Sequence, residues 1–142
     1  MADSVTILLV EDNPDDAALT ELALRSWPAH VEIARDAGEA VDYLFGNAHD
    51  APRLVLLDLG LPDTDGLQVL RRIRQDERTR LIPVVILTSS MAPGDVAASY
   101  RMGANSFVRK PVDFDEFSDR VHQIAAYWLS ANEPPSPPAM GD

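Results

Sequence analysis

The stretch Ile7-Leu8-Leu9-Val10-Glu11-Asp12-Asn13-Pro14-Asp15-Asp16 holds a strand, an acidic corner and a helix start in direct succession. Its apolar run, Val5 to Val10, is broken only by Thr6, as a strand covered on both faces requires. Asn13 reads as an N-cap and Pro14 as the first helical residue, where the missing N–H of proline costs nothing. Asp15 and Asp16 suit the positive end of that helix. Glu11-Asp12 is then the link between strand and helix.

The same grammar repeats along the chain. Further apolar runs are Val31 to Ala34, Leu54 to Leu57, Val84 to Leu87 and Ser106 to Arg109. The runs from Val5, Leu54 and Val84 read as central strands; the shorter or more polar second and fifth runs suit sheet edges. Amphipathic segments lie between them. The first helix is expected to run to about Ser26, stopped by Trp27-Pro28. Others are expected over Ala37 to Phe45, Asp65 to Gln75, Pro93 to Met102 and Asp113 to Leu129, with Gly103 closing the fourth. Leu67, Leu70 and Ile73 form one stripe of the third. Five strand–helix units in alternation imply an α/β fold: a doubly wound parallel sheet with right-handed crossovers. No internal repeat is evident.

Composition narrows the classes of function. The 142 residues suit one domain, expected over 1–130, followed by a Pro-rich disordered tail over 131–142 that contains Pro134-Pro135-Ser136-Pro137-Pro138. The absence of cysteine excludes disulfides, thiolate metal sites and a cysteine nucleophile. A formal charge of -11 argues against direct nucleic-acid binding. The opening MADSVTILLV lacks the basic lead and apolar length of a signal peptide, and no run is long enough to span a bilayer. A soluble, cytoplasmic protein with no membrane contact is expected.

Open parallel sheets bind ligands beyond the carboxyl ends of their strands. Those ends carry Glu11-Asp12, Asp58, Thr88-Ser89 and Lys110-Pro111. Each has a plainer reading taken alone: helix-dipole charge, turn residue, loop hydroxyl, surface lysine. Four separate strands ending in compatible chemistry outweigh those readings. Clustered carboxylates repel one another unless a cation intervenes. Oxygen donors without His or Cys select a hard ion, with Mg2+ the expected cofactor. Lys110 and Thr88 add a charge and a hydroxyl for an anion. The set suits phosphoryl transfer to a carboxylate, with Asp58 on the central strand as nucleophile.

The segments ILLVEDNPDD (7–16), LLDLGLPDTDGLQVLRRIR (56–74), PVVILTSS (83–90) and GANSFVRKPVDFDEF (103–117) together resemble the receiver domain of two-component response regulators, from Thr6 to about Leu129. The resemblance implies a flavodoxin-like (βα)5 fold with strand order 2-1-3-4-5. It makes Asp58 the phosphoacceptor. It assigns Asp12, Asp58 and the Gly60 carbonyl as direct Mg2+ ligands, with Glu11 acting through water. It makes Lys110 the phosphate-binding lysine, Thr88 and Phe107 the switch pair, and Lys110-Pro111 a cis peptide. Phosphorylation is expected to draw Thr88 inward, rotate Phe107 and reshape the face of the fourth helix, fifth strand and fifth helix.

The segments DYLFGNAHDAPRL (42–54) and SYRMGANSFVRKPVDFDEF (99–117) are most similar to the single-domain regulators paired with bacterial phytochromes. The implied donor is a sensor histidine kinase, of bacteriophytochrome type by that similarity; the downstream target is unknown. Nothing after Leu129 resembles an output domain, so a non-enzymatic stand-alone regulator is expected. A phosphate sink or relay intermediate would share these residues. A haloacid-dehalogenase-like phosphatase would need an acid two residues after Asp58, where Gly60 stands. A nucleotide- or flavin-binding module would need a phosphate-cradling loop where Glu11 to Asp16 stand. Tyr127, Trp128 and Leu129 are consecutive and cannot all face one core, which points to a homodimer through the last helix.

Overall fold

The computed structural model describes residues 5–46 and 51–135. Its elements are β1 (Val5–Val10), α1 (Pro14–Leu24), β2 (Ala29–Ala34), α2 (Ala37–Phe45), β3 (Leu54–Leu57), α3 (Gly66–Gln75), β4 (Val84–Thr88), α4 (Pro93–Arg101), β5 (Ser106–Arg109) and α5 (Phe114–Ala126). The five strands are parallel in the order β2-β1-β3-β4-β5, so the two more polar strands are the edges.

Strand residues point alternately to opposite faces, and both faces are covered. Leu8, Val10, Val55, Leu57, Val84 and Ile86 meet Ala37 and Ala40 of α2 and Val69, Leu70 and Ile73 of α3. Ile7, Leu9, Leu54, Leu56, Val85 and Leu87 meet Ala17 and Leu24 of α1 and Phe117, Val121 and Ile124 of α5. Continuous apolar runs are therefore required in the central strands, since each residue of either parity is buried. Each such Val, Leu or Ile contributes about 1.5–3 kcal/mol relative to exposure.

Most helix ends follow local chemistry. The Asn13 side chain accepts from the N–H groups of Asp15 and Asp16, and Pro14 opens α1. Asp36, Asp65 and Asp113 cap α2, α3 and α5 with their carboxylates. Asp65 and Asp113 are thus caps rather than first helical residues. The α4–β5 connection turns at Gly103, whose φ of 104° favours glycine. Strand β2 begins two residues earlier than its apolar run, because Ala29 and His30 still pair with Val5 and Thr6.

The end of α5 departs from a regular helix. Tyr127–Ala131 forms a π-helical turn. This wider turn seats Trp128 and Leu129 against the α1–α5 side of the core and leaves Tyr127 half exposed. It resolves the conflict posed by three consecutive apolar residues. Asn132 closes the turn with its N–H on the Tyr127 carbonyl, and chain 133–135 carries no helix or strand. The remainder of the expected tail, 136–142, lies outside the described residues. Among the described residues no helix is long and apolar enough to cross a membrane.

Candidate functional site

Backbone pairing carries the chemistry to one place. Glu11 N–H donates to the Ala34 carbonyl at 2.9 Å, Asp58 N–H to the Val10 carbonyl at 3.0 Å, and Lys110 N–H to the Thr88 carbonyl at 2.8 Å. Each of these residues stands one step past the end of its strand. Their side chains gather at a crevice of about 630 Å³, whose walls include Asp12, Asp58, Gly60, Thr88 and Lys110.

Lys110 is the electrostatic centre. Its ammonium lies 2.6 Å from Glu11 Oε1, 2.9 Å from Asp58 Oδ2 and 2.9 Å from Asp16 Oδ2. Burial opposes its charge, but the three carboxylates outweigh burial and hold it above the usual lysine range. Asp58 Oδ1 takes the Thr88 hydroxyl at 2.7 Å and the Gly60 N–H at 3.1 Å. Burial alone would raise the Asp58 pKa. The bond and charge of Lys110, then Thr88 and Gly60, more than offset it, so Asp58 stays below the usual carboxylate range and ionised. Glu11 goes the other way, pushed up to about 7 by burial and by the Asp58 charge, which Lys110 only partly compensates.

The donor set fits a hard divalent cation. Glu11, Asp12 and Asp58 offer oxygen atoms that all lie within 4.8 Å of one another. Asp12 is exposed and faces the crevice, while Glu11 is buried behind it. Gly60 lines the same wall. No nitrogen or sulfur ligand contributes to this set, as hard-ion coordination demands.

Two expectations need correction. No cis peptide bond occurs among the described residues, so Lys110–Pro111 is trans. Trans is the lower-energy isomer of an X–Pro bond, and Lys110 makes both its main-chain and side-chain bonds with it. The second expectation has Thr88 moving inward to a phosphoryl oxygen on phosphorylation, which implies an outward hydroxyl beforehand. The hydroxyl already donates to Asp58, because that buried carboxylate is its available charged acceptor. Phe107 packs half-buried against the α2–α3 side of the core. Although Phe107 brings no hydroxyl, one is supplied from α4: Tyr100 Oη accepts the Phe107 N–H at 3.2 Å.

Three polar groups of the site were not singled out from the sequence. Asp16 was legible only as a helix-dipole residue in the first turn of α1, the turn that follows the acidic corner directly. Ser90 and Asp95 form the opposite rim, where the Ser90 hydroxyl donates to the Asp95 carboxylate. Ser90 lies two residues beyond Thr88, but nothing in the chain order links it to Asp95.

A family model described as "Response regulator receiver domain" matches residues 7–122. The chain belongs to this family. The receiver is 41% identical over 140 residues to the probable methanogenesis regulatory protein FilR2 of Methanothrix harundinacea, covering 95% of this chain and 90% of FilR2. It is 38% identical to the response regulator Rcp1 of Synechocystis over 129 residues, 87% of this chain and 88% of Rcp1. In three dimensions it resembles the phosphorylated cyanobacterial phytochrome response regulator RcpA with a TM-score of 0.89 at 37% identity, covering 94% of this chain and all of RcpA. It also resembles the Mn2+-bound form of Rcp1 with a TM-score of 0.87 at 34% identity, over 93% and 99% of the two chains. The receiver fold expected from the sequence, with strand order 2-1-3-4-5, is the one observed.

Proposed function

We propose that this receiver takes a phosphoryl group onto Asp58 from a phosphohistidine of a sensor kinase. The observation that carries the reading is the convergence of Lys110 and Thr88 on the two oxygens of one ionised, buried carboxylate beside an acidic triad. An Asp58 oxygen forms the new bond to phosphorus as the bond to the kinase imidazole nitrogen breaks, and the nitrogen keeps the electron pair. Lys110 and Thr88 are placed to bind phosphoryl oxygens. Asp12, Asp58 and the Gly60 carbonyl would hold Mg2+, with Glu11 acting through water. When bound, the ion neutralises charge on the phosphoryl oxygens.

The readout is proposed to run from Thr88 to Phe107 and from there to the α4–β5–α5 face. Such a switch requires only a few kcal/mol of bias between two states. Similarity to RcpA and Rcp1 supports a kinase of the phytochrome class as donor. The receiver unit is proposed to span 1–130. The exposed ring of Tyr127, stacked edge-on to Trp128 with centroids 4.9 Å apart, supports a homodimer contact at the end of α5.

The test is phosphorylation by acetyl phosphate with Mg2+, read as intact mass. The wild type should gain one phosphoryl group, and Asp58→Asn should gain none. EDTA should abolish labelling. Equal labelling of Asp58→Asn would refute the acceptor, and labelling in EDTA would refute the ion. A monomer mass by light scattering at high concentration would refute the dimer.

A further inference from the structure

Asp63 takes part in none of the contacts above. It stands in the exposed loop between β3 and α3, yet both its carboxylate oxygens are engaged. Oδ1 accepts the Ala37 N–H at 2.9 Å and Oδ2 accepts the Gly38 N–H at 3.0 Å. These are the first two N–H groups of α2. The same helix end has its own cap, Asp36, which accepts the Glu39 N–H at 2.8 Å. A cap residue of this kind serves one of the orphan N–H groups of a helix start, and Asp63 takes two that Asp36 leaves. This second carboxylate comes from a loop 25 residues away from Gly38 in sequence and bridges two parts of the fold.

Those two parts are the two sides of the acidic corner. Just before α2, the Ala34 carbonyl accepts the N–H of Glu11 at 2.9 Å. The loop itself starts at Asp58 and contains Gly60. It is folded back by the Gly60–Asp65 bridge and by Gly66 N–H on the Leu59 carbonyl at 2.9 Å. Asp58 N–H in turn bonds the Val10 carbonyl, next to Glu11. The links form a ring around the corner, and Asp63 supplies its long-range side-chain member.

We infer that Asp63 is a positioning residue for the divalent ion: its tether to α2 fixes the Asp58–Gly60 side of the site relative to Glu11 and Asp12. The inference rests on the ion site proposed above. Groups that orient metal ligands without touching the metal commonly change affinity by about tenfold or more when removed.

The experiment compares the wild type, Asp63→Ala and Asp36→Ala. Both variants lose a cap on the same helix end, but only the first frees the loop. Mg2+ affinity is measured by calorimetry, and amide hydrogen exchange over 58–66 is measured without divalent ions. Asp63→Ala should weaken Mg2+ about tenfold and speed exchange over 58–66, while Asp36→Ala stays within about twofold of the wild type. Asp63→Asn keeps one acceptor and should fall between; it serves where the alanine variant folds poorly. Unchanged affinity and exchange in Asp63→Ala and Asp63→Asn would overturn the inference. So would an equal loss in Asp36→Ala, which would reduce Asp63 to a helix cap. Failure of the wild type itself to bind Mg2+ would instead remove the ion site, and the inference with it.

Discussion

Replacing Lys110 with Met tests the electrostatics of the site most directly. The substitution keeps an apolar chain of similar length and removes the ammonium that touches Glu11, Asp16 and Asp58. Asp16 is partly solvated, so its lost pair matters little. Glu11 and Asp58 are buried, and breaking a buried charge pair costs about 3–5 kcal/mol. Protonation limits that cost. Glu11 already titrates near pH 7 with Lys110 present, and losing the lysine raises it further. A carboxyl whose folded pKa is raised contributes stability at low pH, and that stability is lost as pH rises through the folded value. The penalty of Lys110→Met should therefore be about 3 kcal/mol at pH 8 in EDTA and shrink as the pH falls toward 6. Millimolar Mg2+ should recover part of it, since a dication replaces the missing charge. Urea denaturation at both pH values, with and without Mg2+, measures all of these. A variant within about 0.5 kcal/mol of the wild type at pH 8 in EDTA, the range of an ordinary surface change, would refute the reasoning.

Glu11→Gln removes the group raised from 4.5 to about 7. The wild type loses stability as pH rises through that window and the amide does not, so the metal-free variant should gain about 1 kcal/mol at pH 8 and little at pH 5; denaturation curves in EDTA at the two pH values check this. The same change should weaken Mg2+ binding, measured by calorimetry. Gly66→Ala would place a Cβ 2.4 Å from the Asp58 carbonyl oxygen and 2.7 Å from Leu59 Cα, both main-chain atoms. The backbone under the phosphoacceptor must then move, and acetyl-phosphate labelling should fall at least severalfold at a cost of about 1–3 kcal/mol in stability. Arg74 donates to the carbonyls of Gly103, Arg80 and Ile82 and to Asn105 Oδ1. Arg74→Ala strands these acceptors, and a loss of about 2–4 kcal/mol in urea denaturation is expected.

The central strands were legible because burial on both faces leaves no room for polar residues, so Leu54 to Leu57 could be read without ambiguity. The site was legible for a related reason. A parallel sheet delivers every strand end to one side, so the order Glu11-Asp12, Asp58, Thr88 and Lys110 already implied convergence. Contacts made by side chains across loops were not legible. Asp16 and Asp63 sit among many acidic residues, and only the folded chain brings the first to Lys110 and the second to the start of α2. The π-helical turn at Tyr127–Ala131 was half visible, since the sequence posed the packing conflict but not the way it is relieved. The inward Thr88 and the trans Lys110–Pro111 bond depend on local energetics that strand and helix patterns do not encode.

The charges at the crevice also explain why this fold suits a reversible switch. Glu11, Asp16 and Asp58 surround one ammonium and Asp12 lines the same crevice, so its acidic groups outnumber its one cation. Burial, and after it the Asp58 charge, raises the Glu11 carboxyl to about 7, so the proton it holds there eases part of that excess. A dication relieves it, which gives the divalent site its driving force without any nitrogen or sulfur ligand. A phosphoryl group on Asp58 then adds negative charge back to the place where Lys110 and Thr88 already point. Lys110 must share its three bonds with the newcomer, and the Thr88 hydroxyl must exchange one oxygen acceptor for another. Neither group has to travel far. The energy that moves the switch is therefore better sought in the redistribution of Lys110 and Thr88 bonds than in a large swing of Thr88. On the readout proposed above, it would pass to β5 through the main chain between Lys110 and Phe107, whose N–H is held by Tyr100 of α4.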